Sequence, residues 1–425
     1  MSQNITSSSS PTPAASSTSF LSPSSSILLL LSYLLLVRLL RYSRGNSLAK
    51  KLGYTDRASL KGMTNEDAQK IMSFLAELEF PKVLMTSLQF ALFKTYGIPT
   101  ISKLLVDTKQ LSGKDTASKR YADTTVLIGE FTSFHPTHPR ALKAIARMNT
   151  LHAPYQKAQQ ITQPDLLYTL SVFITEPITF INTYEWRRLT PTEICAIATF
   201  WKSIGDAMDI SYACLPRAGT WSDGLEFYED IKAWAEEYER KFMVPELSNK
   251  QTADALVPML LFYVPGFALP FARQVVGVIM GKHLRAAMIY PDPSPLATPI
   301  TGWIFDVRKI LLRYLALPRP GFMRVREIAD EPNEKGRYNT MGYLVEPYYN
   351  KPTFWSRWGP MAWVTWLGGG FVPDARVGKW MPEGYLLEEV GPERRKGKGL
   401  EEMREWEGRL ERERGGGCPF LGGRK

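Results

Sequence analysis

Histidine is scarce in this chain, so chemistry that needs an imidazole has few places to occur. The 425 residues include four histidines, and His152, in Asn-Thr-Leu-His152-Ala-Pro, is the one embedded in a periodic, largely apolar segment. His135 and His138 belong to a turn with two prolines, and His283 lies in a basic stretch. A neutral imidazole on a buried helix face is the usual protein ligand of a b-type haem. A hydrogen-bonded core histidine is the alternative interpretation.

Hydrogen-bond donors that would suit such a haem occur upstream, at Arg120 and Thr124. The two residues are four positions apart, so in a helix they share one face. A haem that handles dioxygen needs donors on its open side, and a guanidinium with a hydroxyl supplies them. A solvated helix face is the alternative.

Other metal and nucleotide chemistries lack their sequence signatures. The three cysteines, Cys195, Cys214 and Cys418, show no metal-ligand spacing, and their odd number argues against a disulfide framework. Cys418 also lacks the surroundings of a haem-thiolate cysteine. The chain has no His-Glu-x-x-His motif, no Glu-x-x-His pair, no glycine-rich dinucleotide loop and no P-loop.

The positive charge of the chain does not indicate nucleic-acid binding. The net charge is +10, but residues 1–51 alone carry five basic and no acidic residues. The rest has no basic stripe interleaved with aromatic residues and no nucleic-acid motif. We therefore expect no nucleic-acid partner.

The N-terminal residues predict a membrane anchor. Residues 1–26 are rich in Ser and Thr and carry no charge, so we expect them to be disordered. The apolar run that follows, with basic residues from Arg38 onward, predicts a transmembrane anchor over residues 27–44. A cleaved signal peptide is the alternative, but its positive charges normally precede the apolar run. By the positive-inside rule the N-terminus, with the glycosylation sequon Asn4-Ile-Thr, is lumenal and the body is cytosolic.

The body is predicted to be all-α, a single large helical domain over residues 55–390. Thr64, Thr162 and Thr190 each stand three residues before an acid, which is the pattern of a helix N-terminus. Residues 391–425 are charged and Gly-rich, so we expect a solvated, partly flexible tail. The predicted helices are 64–78, 84–95, 115–132, 139–160, 163–182 and 191–208.

Two further stretches bear on the membrane. Residues 255–272 carry no charge, but three prolines interrupt them, which favours a buried or re-entrant segment over a second span. Four tryptophans crowd into residues 355–366. This cluster fits either an interfacial belt resting on the bilayer or an aromatic core.

Several strings carry a resemblance to a known family, among them Leu78-Glu-Phe-Pro81, Asp165-Leu-Leu-Tyr-Thr-Leu-Ser and Phe200-Trp-Lys-Ser-Ile-Gly-Asp206. They resemble the fungal membrane-bound oxygenases of the MpaB family. That family shares a superfamily with the bacterial latex clearing proteins, which are rubber oxygenases. The resemblance covers nearly the whole chain.

The resemblance implies roles for individual residues. His152 matches the proximal haem ligand of the rubber oxygenases, and Arg120 and Thr124 match their distal arginine and threonine. Asp123 stands where those enzymes have a lysine that can cap the sixth iron position. It is also the one nearby candidate for their acidic catalytic base, so we count it among the candidate catalytic residues.

From this resemblance we expect an oxidoreductase anchored in the endoplasmic reticulum membrane, with haem b as cofactor and dioxygen as co-substrate. The expected reaction is oxidative cleavage of a carbon-carbon double bond in a prenyl or terpenoid side chain, as in meroterpenoid secondary metabolism of fungi. Two alternatives stay open. One is a haem-dependent hydroxylase or peroxidase acting on a lipid or terpenoid. The other is a non-catalytic, membrane-tethered relative whose site has decayed.

Overall fold

The computed structural model describes residues 23–109, 116–343 and 345–420. Within these ranges the chain forms fifteen α-helices and isolated β-bridges but no β-sheet, which confirms the all-α prediction. The helices are α1 (Pro23–Lys51), α2 (Asn65–Phe74), α3 (Pro81–Thr95), α4 (Pro99–Asp107), α5 (Ala117–Ser133), α6 (Pro139–Lys157), α7 (Gln163–Tyr184), α8 (Pro191–Ala207), α9 (Gly224–Phe242), α10 (Leu247–Leu260), α11 (Leu269–Ala287), α12 (Ala297–Ile310), α13 (Phe354–Trp358), α14 (Pro360–Leu367) and α15 (Leu400–Glu413).

The helix starts predicted from threonine caps are confirmed. The side chains of Thr64, Thr162 and Thr190 each accept a hydrogen bond from the backbone N–H three residues later. At Thr190 the cap is a full capping box. Helix α3 begins at Pro81, earlier than the predicted start at residue 84, because the fixed φ of proline suits the first turn of a helix.

Helix α7 forms the centre of the body. Nearly all of its residues from Leu166 to Ile178 are buried, and it packs against α3, α8 and α9. Helix α6 packs against α5 on one side and α15 on another. The candidate residues Arg120 and Thr124 lie on α5, and His152 lies on α6.

A buried ion pair joins α5 to α6. The guanidinium of Arg140, at the start of α6, donates to both carboxylate oxygens of Glu130, near the end of α5, over 2.9 and 2.7 Å. The Tyr385 hydroxyl donates to the same carboxylate over 2.5 Å, and the Arg140 guanidinium also donates to the carbonyls of Ala329 and Asp330. A short turn connects the two helices, so they run antiparallel away from this pair. The candidate residues Arg120, Thr124 and His152 therefore lie on two adjacent, antiparallel helices.

The C-terminal segment packs on the body, unlike the separate solvated tail expected from composition. Helix α15 buries Met403 and Leu410 against the core. The fully buried Arg147 of α6 donates 2.9 Å hydrogen bonds to the carbonyls of Val390, Arg395 and Lys398. Composition did not predict this packing, because most residues of α15 are charged. The helix packs on the core through its buried residues Met403 and Leu410.

Helix α1 is the one helix in the described ranges that is long and apolar enough to cross a membrane, judged by length and composition. It extends to Lys51, beyond the predicted anchor end at residue 44. The sequon at Asn4 lies outside the described residues. Residues 255–272 contain the end of α10, a 3-10 turn at Gly266–Ala268 and the start of α11, and they form no candidate span.

The tryptophan cluster is on the surface. Trp355, Trp358, Trp363 and Trp366, on α13 and α14, have exposed fractions of 72, 53, 50 and 61%. The aromatic-core interpretation of these residues is therefore wrong.

We expect Arg140→Ala to lower the free energy of unfolding by about 3–5 kcal/mol, because the substitution leaves the Glu130 carboxylate buried without its cation. Chemical denaturation of the purified protein measures this cost. Arg409→Ala is the matched control, since Arg409 pairs with Asp209 at the surface over 2.6 Å and its loss should cost about 1 kcal/mol or less. Equal losses of unfolding free energy in the two variants would show that the Glu130–Arg140 pair stabilises the fold no more than a surface ion pair does.

Candidate active site

An apolar cavity lies among helices α3 to α8. It encloses about 260 Å³, and Arg120, Thr124 and His152 all line it. Aromatic side chains of α7 and α8, such as Phe173 and Trp201, form part of its wall. The structure thus brings together three of the four residues that the sequence singled out.

The imidazole of His152 has no protein partner in this cavity. Its Nδ1 atom is buried and makes no hydrogen bond to any described residue. Burial, together with the nearby Arg120 guanidinium, lowers the pKa of His152 from 6.5 to about 4. The ring is therefore neutral at pH 7, with a lone pair free to bind a Lewis acid. A buried polar atom left unpaired costs about 1–3 kcal/mol, so Nδ1 lacks a partner that the interior of a protein normally supplies.

Arg120 and Thr124 form a linked pair along one face of α5. The Arg120 guanidinium donates to the Thr124 hydroxyl oxygen, and that hydroxyl donates to the Arg120 carbonyl over 3.0 Å. The single hydroxyl proton of Thr124 is thus engaged with the backbone. The donors that remain for a ligand in the cavity are those of the guanidinium, and Thr124 holds it in position.

Tyr96 is a cavity residue that sequence reasoning missed. It caps the C-terminus of α3, is buried, and lines the same cavity. Burial raises the pKa of Tyr96, and the nearby Arg120 offsets this only in part, so the phenol stays protonated. It provides a further hydrogen-bond donor near Arg120. No motif marks it, because a lone tyrosine at a helix end is indistinguishable from a packing residue.

Asp123 does not line the cavity. Its buried carboxylate accepts hydrogen bonds from the Tyr349 hydroxyl over 2.7 Å and from Lys119 Nζ over 3.1 Å. The same Lys119 ammonium donates to the carbonyl of Gly391. Burial raises the pKa of Asp123, which the Lys119 ammonium partly offsets. The catalytic role expected for Asp123 stays a prediction, because its buried contacts are with Tyr349 and Lys119 and it does not line the cavity.

The mouth of the cavity is cationic. Pro392 and Arg395 line it, on the segment whose carbonyls are held by Arg147. Arg394 lies beside them and donates to the Tyr155 hydroxyl over 2.9 Å. Composition alone did not reveal this rim, since it depends on the docking of a segment more than 240 residues away from Arg147 along the chain.

A second cavity, called here the side chamber, adjoins the first. It encloses about 80 Å³, lies among α2, α3, α5 and residues 325–330, and shares the wall residues Leu92, Thr124 and Ile128 with the main cavity. Gly129 allows this closure, because a Cβ there would lie 2.9 Å from the Ile328 side chain. Thr124 therefore lines both the main cavity and the side chamber.

Glu327 is an unpaired carboxyl in the wall of the side chamber. Its side chain makes no hydrogen bond or ion pair within the described ranges, and burial raises its pKa. A carboxyl with a raised pKa holds its proton to a higher pH than an exposed glutamate does. No sequence signal marks it, since it lies about two hundred residues from Thr124 along the chain.

The one imidazole in the main cavity suits a metal that a cofactor already coordinates. No cluster of three or more His, Cys, Asp or Glu side chains occurs in the part of the chain described. One neutral imidazole cannot hold a bare transition metal, but it suffices as the axial ligand of a haem, whose macrocycle supplies four nitrogens. The acceptor that usually holds the second imidazole nitrogen of such a ligand is not found among the described residues.

Comparison with known proteins places the chain in a family. Residues 96–305 match the family described as ER-bound oxygenase mpaB/B'/Rubber oxygenase, catalytic domain. The chain is 44% identical over 389 residues to the ER-bound oxygenase mpaB' of Penicillium brevicompactum, covering 91% of this chain and 92% of that relative. It is 42% identical over 353 residues to the ER-bound oxygenase mpaB of the same species, covering 83% of this chain and 84% of that relative. It is 45% identical over 262 residues to the ER-bound oxygenase mpaB of Penicillium roqueforti (strain FM164), covering 61% of this chain and 88% of that relative. The chain belongs to the ER-bound oxygenase mpaB family and is an oxidoreductase.

Proposed function

We propose that this protein is a membrane-anchored haem b oxygenase that uses dioxygen to cleave a carbon-carbon double bond in a prenyl or terpenoid side chain. One observation carries the proposal. The unpartnered imidazole of His152 shares an apolar cavity with the Arg120–Thr124 pair, in a chain that belongs to an oxygenase family.

His152 is the residue that would hold haem b. The haem supplies the redox chemistry that activates dioxygen. His152 is neutral at pH 7 because its pKa is lowered to about 4, so no proton has to leave when it binds iron. At the cavity mouth, Arg395 and its neighbour Arg394 suit the two carboxylates that haem b carries.

Arg120 provides the electrostatic part of the site. Its guanidinium keeps donors free for negative charge that develops on oxygen during the reaction, and Thr124 holds it in position. Tyr96, protonated and close by, adds a neutral donor. The surrounding apolar walls exclude water, which strengthens each of these interactions.

The side chamber supplies apolar walls beside Thr124 for part of an apolar chain. Its walls include Leu84, Met85 and Leu88, and it reaches Thr124 through the wall shared with the main cavity. An isoprenoid tail has no polar group that needs a hydrogen-bond partner, so apolar walls can bind it through the burial of apolar surface alone. The substrate class itself is inferred from the family relationship.

For the membrane we propose that α1 is a single span of the endoplasmic reticulum membrane, with the N-terminus lumenal and the body cytosolic. The basic residues Arg38, Arg41 and Arg44 follow the apolar run, which supports this orientation. The family name supports the compartment, since the relatives are named ER-bound oxygenases. A lipophilic substrate would then reach the enzyme from the lipid phase.

Arg120→Ala should keep haem but lower turnover by on the order of 100-fold, the cost typical of removing one donor to a developing charge. Haem content from the Soret absorbance and turnover of a farnesylated phenol are measured on the same preparation. Arg188→Ala, which removes an exposed arginine outside the cavity, is the matched control and should leave both unchanged. Wild-type turnover in Arg120→Ala would remove the arginine from the site.

The reaction is tested by supplying heavy dioxygen with a farnesylated phenol and weighing both products. Cleavage places one oxygen atom on each carbon of the double bond, so each carbonyl fragment should gain one heavy oxygen, and no reductase should be needed. Immediate reduction of the carbonyls with borohydride prevents exchange with water.

Intact-chain hydroxylated products, or an absolute need for NADPH, would contradict cleavage and move the assignment to a hydroxylase. A protein that binds no haem and turns over no substrate would instead be the non-catalytic relative.

A further inference from the structure

Exposed apolar side chains outside α1 are concentrated in two stretches, residues 296–323 and 354–371. Twenty of the twenty-eight large apolar residues that are exposed outside α1 in the described ranges fall within them. Among these, Phe322 is 89% exposed, Trp355 72% and Trp303 67%. A water-soluble surface rarely carries apolar area on this scale, so these stretches have a partner.

The first stretch is fastened to the candidate membrane span. The Tyr33 hydroxyl of α1 donates to the Leu315 carbonyl over 2.6 Å, and Arg41 Nε donates to the Ala316 carbonyl over 2.7 Å. Tyr33 lies within the apolar run of α1, eight residues before Arg41, which corresponds to about 12 Å along the helix. If α1 crosses the bilayer with Arg41 at the headgroups, the adjacent carbonyls of Leu315 and Ala316 lie between the levels of Arg41 and Tyr33, just below the headgroups.

The second stretch belongs to the same face. Helix α12 packs on α11, and the turn before α11 carries the 90% exposed Phe267. Next to that turn, the Phe262 and Phe371 rings stack with centroids 6.2 Å apart, and Gly368 lies close to Pro265. The apolar surface therefore continues from α1 through α12 and the turn to α14.

The residue types on this face match a membrane interface. Five of the eleven tryptophans of the chain lie on it, and tryptophan concentrates at the headgroup level of bilayers. Of its five basic residues, Arg308, Lys309 and Arg357 pair with carboxylates, whereas Arg313 and Arg319 form no ion pair with the described residues. These two arginines and the aromatic side chains suit anionic phospholipid headgroups.

We propose that this face inserts into the leaflet next to the Arg41 end of α1, so that the body is embedded in the membrane surface as well as tethered by a span. The occupant is phospholipid, because the face continues from a helix whose own apolar side chains are exposed in the same way. The proposal rests on α1 spanning the bilayer and is independent of the cofactor.

The test uses the full-length protein reconstituted in phosphatidylcholine vesicles with a minority of phosphatidylserine, some lipids carrying bromine on the acyl chain. Bromine quenches tryptophan fluorescence only on contact. Trp303→Phe, Trp355→Phe and Trp366→Phe should each remove part of the quenched emission, and acrylamide in the water phase should reach these side chains poorly. Trp234→Phe and Trp406→Phe, which lie on α9 and α15, should leave the quenched emission unchanged.

Two results would overturn the proposal. If the three substitutions leave bromine quenching unchanged while acrylamide reaches the tryptophans freely, the body stands off the membrane on its anchor. If neither quencher reaches them, another protein or a second copy of this chain covers the face. Circular dichroism of each variant confirms that the Trp→Phe exchange leaves the fold intact.

Discussion

The buried carboxylate of Glu130 is the constraint on which the arrangement of the site depends. It lies in the core, so it must be neutralised, and Arg140 does this with two parallel hydrogen bonds. The pair sets how α5 and α6 meet at their connected ends. From there the antiparallel helices carry Arg120 and Thr124 on one side and His152 on the other into a single cavity. The same guanidinium holds the carbonyls of residues 329 and 330, which places the neighbouring wall of the side chamber against α5.

A second buried arginine completes the cavity from the C-terminal side. Arg147 satisfies three backbone carbonyls of residues 390–398 and so fixes the rim with Arg395. These carbonyls belong to an irregular segment with one 3-10 turn at Glu393–Arg395, and the Arg147 guanidinium adds hydrogen bonds to those of the segment's own backbone. Residues 316–328 link α1 to the side chamber. They contact α1 at one end, where Arg41 Nε donates to the Ala316 carbonyl, and line the side chamber at the other.

Local chemistry in the sequence predicted much of the fold, since a threonine cap followed by an acid acts within one turn. Thr64, Thr162 and Thr190 mark their helix starts for this reason. The grouping of three site residues followed from spacing and family resemblance together. Asp123 does not line the cavity beside Thr124, because adjacent positions on a helix point about 100° apart. Tyr96, Glu327 and the docked C-terminal segment depend on contacts between distant parts of the chain, for which one sequence carries no local signal.

The central claim is that His152 binds a haem, and the absorption spectrum of the purified protein tests it most directly. We predict a Soret band whose intensity corresponds to one haem per chain and which is lost in His152→Ala. The band should persist in His135→Ala and His283→Ala, since His135 pairs with Glu66 at the surface and His283 is hydrogen-bonded to the Met243 carbonyl. A Soret band of unchanged intensity in His152→Ala, or no haem in the wild-type protein after expression with haem supplied, would contradict it.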